Sequence, residues 1–118
     1  MELSFDRRRR HTAISCTGAL DRTSAAGLKP AVASALANAP LVVLNLKDVT
    51  KIDAMGLAAI VSGLRSARLA GGDLRVVDGT STVHKALVRT GMHRLLPVFA
   101  SIEEAVGTGR KPNALAAA

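Results

Sequence analysis

The chain has 118 residues, sixteen Lys and Arg against nine Asp and Glu, and a formal net charge of +7. This is the length of one domain able to bury an ordinary core; 48% of the residues are apolar but there is no Trp, no Tyr and only two Phe, so the core must be aliphatic. The single cysteine, Cys16, excludes an internal disulfide or a Cys-based zinc site within one chain. No run approaches the ~18 apolar residues of a membrane span, and the early charges of MELSFDRRRR predict a cytoplasmic protein without a signal peptide.

Residues 2–6 and 12–17 alternate or are β-prone and predict two antiparallel strands joined near Arg7, Arg8, Arg9 and Arg10. Cys16 falls in the second, as a buried inert thiol. Gly18 to Asp21 reads as a turn. Ser24 is the expected N-cap of a helix running to about Asn38, with Leu28, Val32 and Leu36 on one face. Pro30 predicts either a kink in that helix or a separate first turn, because an interior proline removes a backbone bond and clashes with the preceding turn.

Past Pro40, LVVLNL at 41–46 is nearly continuous in apolar residues, the pattern of a strand covered on both faces. A helix from about Ala54 to Ala70 follows, with Leu57, Ile60, Val61 and Leu64 as its core stripe and Gly71-Gly72 as its stop. LRVVD at 74–78 predicts another buried strand. Ser81 then caps a helix over Thr82–Thr90 that turns Val83, Leu87 and Val88 inward and ends at Gly91. PVFA at 97–100 is a short strand, and Ser101-Ile-Glu-Glu104 fits a capping box opening a last helix through about Val106. Residues 107–118 read as a flexible tail beyond a single domain over 1–106. The order β-β-α-β-α-β-α-β-α, with buried strands, predicts an α/β sandwich with a mixed, mostly parallel sheet and about four helices.

Chemistry concentrates where the loop after residue 46 meets the second helix. Asp53 can cap that helix by accepting backbone N–H bonds, and Ala54, Met55 and Gly56 fill its first turn. Such an end carries unsatisfied amides and the positive pole of the helix dipole, a natural seat for an anion. Asp53 is therefore either a cap alone or a cap that also recognises a partner. Met55 is either core filler or an exposed docking knob, since methionine suits adaptable interfaces. Lys47 and Lys51 flank the helix start and can attract an anion or an acidic surface, or stand as solvated lysines. Thr50 and Ser62 are the nearby hydroxyls, either ordinary loop and helix residues or a substitute phosphosite. Gly56, Ala59, Gly63 and Ser66 make a small-residue stripe, open either to a partner or to the protein's own sheet. Asp48 and Asp53 fall in one loop without a nucleophile–base constellation. His11, His84 and His93 lack ligand spacing, and no P-loop or dinucleotide fingerprint occurs. The chain reads as a non-enzyme without metal or cofactor. Its basic character suits an acidic partner; nucleic-acid binding through Arg7–Arg10 is the weakest reading, because the aromatic stacking platforms of such modules are missing.

Four stretches together resemble the STAS domain of bacterial anti-sigma factor antagonists: TGALDRTSA at 17–25, LVVLNLKDVTKIDAMGL at 41–57, LRVVDGTSTVHKALVRTGM at 74–92 and PVFASIEEAV at 97–106. The resemblance covers about residues 3–106 and implies the STAS sandwich and a bacterial switch protein. In that family the antagonist binds an anti-sigma factor that is also a serine kinase, and phosphorylation of a serine at this helix start ends the binding. Matched position by position, the acidic residue is Asp53, the glycine Gly56, the phosphoacceptor Met55 and its neighbour Ala54, so neither position accepts phosphate here. The resemblance implies an anti-sigma factor or serine-kinase-like regulator as partner, docking on Asp53 to Gly56; Thr50 and Lys51, beside that turn, complete the expected partner-binding or switch site. A nucleotide- or anion-sensing branch of the family is the alternative, and a homodimer is left open.

Overall fold

The apolar run at 41–46 opens β3 (Leu41–Ile52), the middle strand of the fold. A computed structural model describes residues 1–79 and 81–107 of the chain, without the Ser81 side chain. Before β3 come β1 (Glu2–Arg7), β2 (His11–Leu20) and α1 (Arg22–Asn38); after it come α2 (Ala54–Leu69), β4 (Asp73–Val77), α3 (Ser81–Thr90), a 3-10 turn at Met92–Arg94, β5 (Val98–Phe99) and α4 (Ile102–Gly107). This is the element order expected from the sequence. Among the described residues the sheet has five strands in the order β1-β2-β3-β4-β5; β1 pairs antiparallel to β2 and every other pair is parallel.

Alternation along the strands sorts the core into two layers. Val42, Leu44, Leu46, Leu74 and Val76 join Leu28 and Val32 of α1, Leu57, Ile60 and Leu64 of α2, and Val83 and Leu87 of α3 in one cluster. The intervening Val43 and Val77 meet Phe99 of β5 and Ala105 of α4 on the other face. Three helices thus cover one face and α4 part of the other, which is why residues 41–46 are apolar at every position but Asn45. That side chain is buried but satisfied, donating to Ser15 Oγ at 3.3 Å and accepting from the Lys47 amide at 3.3 Å.

Several local readings need correction. Residues 47–52, expected as a loop, continue β3, and β2 runs on to Leu20 through the expected turn, with register shifts between Ser15 and Thr17 and between Gly18 and Ala19. Past Asn45 the β4 partner ends, so among the described residues the extension pairs with β2 only, and it is mostly polar. Gly18, at φ 100°, adopts the backbone that this irregular stretch requires. The N-cap of α1 is Asp21, not Ser24: Asp21 accepts the Thr23 and Ser24 amides, and Ser24 Oγ accepts the Asp21 amide in return. Helix α1 has no separate first turn, and Pro30 sits inside it on an exposed face. Helix α3 begins at Ser81, so Ser81 is its first residue rather than its cap. Val88 points out at 47% exposure while Ala86 takes the inward place, because five residues past Val83 the helix has turned well away from the core.

Ser101 caps α4 through its hydroxyl, which accepts the Glu104 amide at 3.2 Å. The tail expected over 107–118 lies, beyond Gly107, outside the described residues. Among the described residues no helix is long and apolar enough to cross a membrane.

Candidate functional site

Strands β2 and β3 end side by side, so the helices that follow them, α1 and α2, begin at one place on the surface. Asp53 joins these two starts. Its backbone amide donates to the Leu20 carbonyl at 3.3 Å, one carboxylate oxygen accepts the Gly56 amide of α2 at 2.9 Å, and the other accepts the Arg22 amide of α1 at 3.2 Å. Both acceptors complement the positive ends of helices. The expected cap is present and also ties α2 to α1.

Gly56 is buried against the end of β2, where a Cβ would collide with the Leu20 backbone carbonyl. The glycine lets α2 start this close to β2. Farther along, a Cβ on Gly63 would come within 3.2 Å of Leu74 and 3.5 Å of Val32. Both glycines of the small-residue stripe thus face the protein's own core, while Ser66 is exposed.

With Asp53 and Gly56 turned inward, Ala54 and Met55 are the residues of the first turn that face out. Met55 is 52% exposed and is not core filler. Thr50 and Lys51, in the last part of β3, are also exposed beside this turn. Lys51 lies near Asp21, whose carboxyl is held below its usual range first by the Ser24 amide and in smaller part by the Lys51 charge. Lys47 departs from the expected arrangement. Asp53 lies six residues farther along the extended chain, about 20 Å away, and the Lys47 side chain lies by Gly79 after β4. Ser62 is exposed on α2 two turns beyond Met55.

Asp21 and Arg22 complete this corner, and the sequence reading missed both. Asp21, three residues before Ser24, fits the spacing of a capping box with the acceptor and hydroxyl roles exchanged. The Arg22 contribution is a backbone amide, which leaves no trace in residue type.

The remaining candidates are dispersed. Burial pushes the Cys16 thiol up to about 12. His84 Nδ1 lies 2.9 Å from Asp78 Oδ2, and His93 Nδ1 lies 3.3 Å from the Leu87 carbonyl. Among the described residues no three His, Cys, Asp or Glu side chains converge as a metal group would. Of the arginine run, Arg7 stacks over Phe5 at 4.9 Å and donates to Ser34 at 3.2 Å, and Arg8 pairs with Asp6 at 3.0 Å. Half the run thus braces the exposed hairpin of β1 and β2, where charge discourages edge pairing.

Comparison with known proteins places this architecture. The chain is 29% identical over 58 residues to an anti-sigma F factor antagonist of Paenibacillus polymyxa, a match spanning 49% of this chain and about half (50%) of that relative's length. An anti-sigma factor antagonist from Mycobacterium paratuberculosis superposes with a TM-score of 0.79 at 19% identity, over 90% of this chain and 91% of that one. A sulfate transporter family protein from Wolinella succinogenes superposes with a TM-score of 0.69 at 23% identity, over 80% of each chain. The two superpositions show the same fold in proteins of different kinds. The STAS domain model matches residues 2–105, from β1 into α4, and with the element order and the Asp53–Gly56 helix start in place the chain belongs to the STAS domain family.

Proposed function

We propose that this STAS domain is a regulatory protein-binding module of the anti-sigma factor antagonist type, and that it docks on an anti-sigma factor or serine-kinase-like regulator through the start of α2. The observation that carries the reading is the exposure of Met55, at 52%, on a turn held from both sides by Asp53. An apolar side chain presented on a fixed turn gains burial when a partner covers it, and Thr50 and Lys51 supply a polar rim. Ala54 and Met55 offer no hydroxyl, so binding here is not ended by phosphate on this turn.

An anion-sensing role is the weaker reading. The Asp53 carboxylate already meets the leading amides of α1 and α2, and a second anion at this place meets like charge.

The experiment is a capture from bacterial lysate with the wild-type chain and Met55→Asp side by side, read by mass spectrometry. A kinase-like anti-sigma factor retained by the wild type and lost by the variant supports the reading. Equal retention by both overturns it.

A further inference from the structure

The far end of α2 carries a second feature. Val61, Leu64, Arg65, Arg68 and Leu69 line a groove closed on its other side by Leu95, just after the 3-10 turn. Leu64 is buried and Val61 half-buried at its base, whereas Leu69 is 83% exposed and Leu95 52%. The core does not account for these two leucines: α2 already buries Leu57, Ile60, Leu64 and Ala67. Charge surrounds the groove. Arg68 shares Asp73 at 3.4 Å on the surface, and among the described residues neither Arg65 nor Arg94 has an acidic partner.

We propose that this groove docks an acidic amphipathic helix of a protein partner. Apolar residues at helical spacing enter between Leu69 and Leu95, and flanking Glu or Asp side chains face Arg65 and Arg68. The chain's net charge of +7 favours approach by such a segment. A second copy fits poorly, because a two-fold contact brings each patch onto itself and sets Arg65 and Arg68 against their own copies. A membrane surface fits poorly because the apolar residues line a concavity. Leu69 is fourteen residues beyond Met55 on α2, about 21 Å along the helix axis, so this surface is separate from the start of α2.

The test is fluorescence anisotropy with a labelled synthetic helical peptide bearing leucines on one face and glutamates beside them, against a matched peptide with lysines for the glutamates. The Glu peptide binds, binding weakens with salt, and the Lys peptide binds at least about tenfold more weakly. Arg65→Glu and Leu95→Asp each lower affinity by about tenfold or more, while Met55→Asp leaves it unchanged. Leu69→Asp, at a more exposed position, repeats the test if Leu95→Asp melts early. Methyl resonances of Val61, Leu64, Leu69 and Leu95 shift on titration. No binding, equal binding of the Lys peptide, or shifts elsewhere overturn the proposal. So does concentration-dependent dimerisation abolished by Leu95→Asp, or retention on anionic vesicles that this variant loses.

Discussion

The Asp53 carboxylate accepts the backbone amide of Arg22, thirty-one residues away in sequence, at 3.2 Å while capping its own helix through Gly56 at 2.9 Å. One side chain thus fixes the first turns of two helices. Asparagine keeps a single acceptor, so in Asp53→Asn one of the two amides faces an NH2 group or solvent. We expect Asp53→Asn to lose about 1 kcal/mol and Asp53→Ala about 2 kcal/mol, lowering Tm by about 4 °C per kcal/mol. Both should also weaken partner binding, because the turn that presents Met55 loosens. Thermal melts with paired affinity measurements check this; an Asp53→Asn protein with wild-type Tm and affinity makes Asp53 a replaceable cap.

Gly56 and Gly27 are both helical glycines, yet the same substitution should act on them in opposite directions. A Cβ on Gly56 collides with the Leu20 carbonyl, while one on Gly27 meets nothing within 4 Å. Gly56→Ala should cost about 1–3 kcal/mol through forced displacement of α2. Gly27→Ala should stabilise by about 0.5–1 kcal/mol, by lowering the entropy of the unfolded chain. Urea denaturation of the two single variants decides between close packing and simple helix propensity as the role of Gly56.

Cys16 makes stability depend on pH on the alkaline side. Its thiol ionises at about 12 in the fold against an ordinary value of 9.0. Below pH 9 both states hold the proton and its contribution is complete. Between about 9 and about 12 the unfolded chain ionises first, so this contribution is lost as pH rises. Cys16→Ala should flatten that part of the stability–pH curve, and the native thiol should react with an alkylating reagent only as fast as the fold opens.

Placing a hydroxyl in the first turn of α2 tests the proposal that this turn takes no phosphate. With the kinase-like partner and ATP, the wild-type segment 50–62 should stay unmodified, while Met55→Ser, on an exposed turn, should take up phosphate and then lose partner affinity. Peptide mass spectrometry reads both proteins. Phosphate on wild-type Thr50 or Ser62 would place the switch on a neighbouring residue.

The fold was legible where burial dictates residue type. Residues 41–46 are apolar because two layers cover them, and α2 announces itself through Leu57, Ile60 and Leu64. It was not legible where a strand has one partner. Among the described residues the 47–52 extension of β3 pairs only with β2, and its polar residues resemble a loop. At the site, Asp53 and Gly56 were readable because a cap and a close approach restrict residue type. The exposure of Met55 depends on how α2 is rotated against the sheet, and the Arg22 contact depends on two strands ending together. Neither condition is written in local sequence.

The most direct measurement is calorimetric titration of the proposed partner, a kinase-like anti-sigma factor, with wild-type protein and Met55→Asp, together with their melting curves. A charge forced into an apolar contact goes unpaired, at a cost of several kcal/mol. Docking through Met55 requires that Met55→Asp bind at least about a hundredfold more weakly and melt at the wild-type temperature, since Met55 is 52% exposed. Unchanged affinity in a folded variant would contradict it.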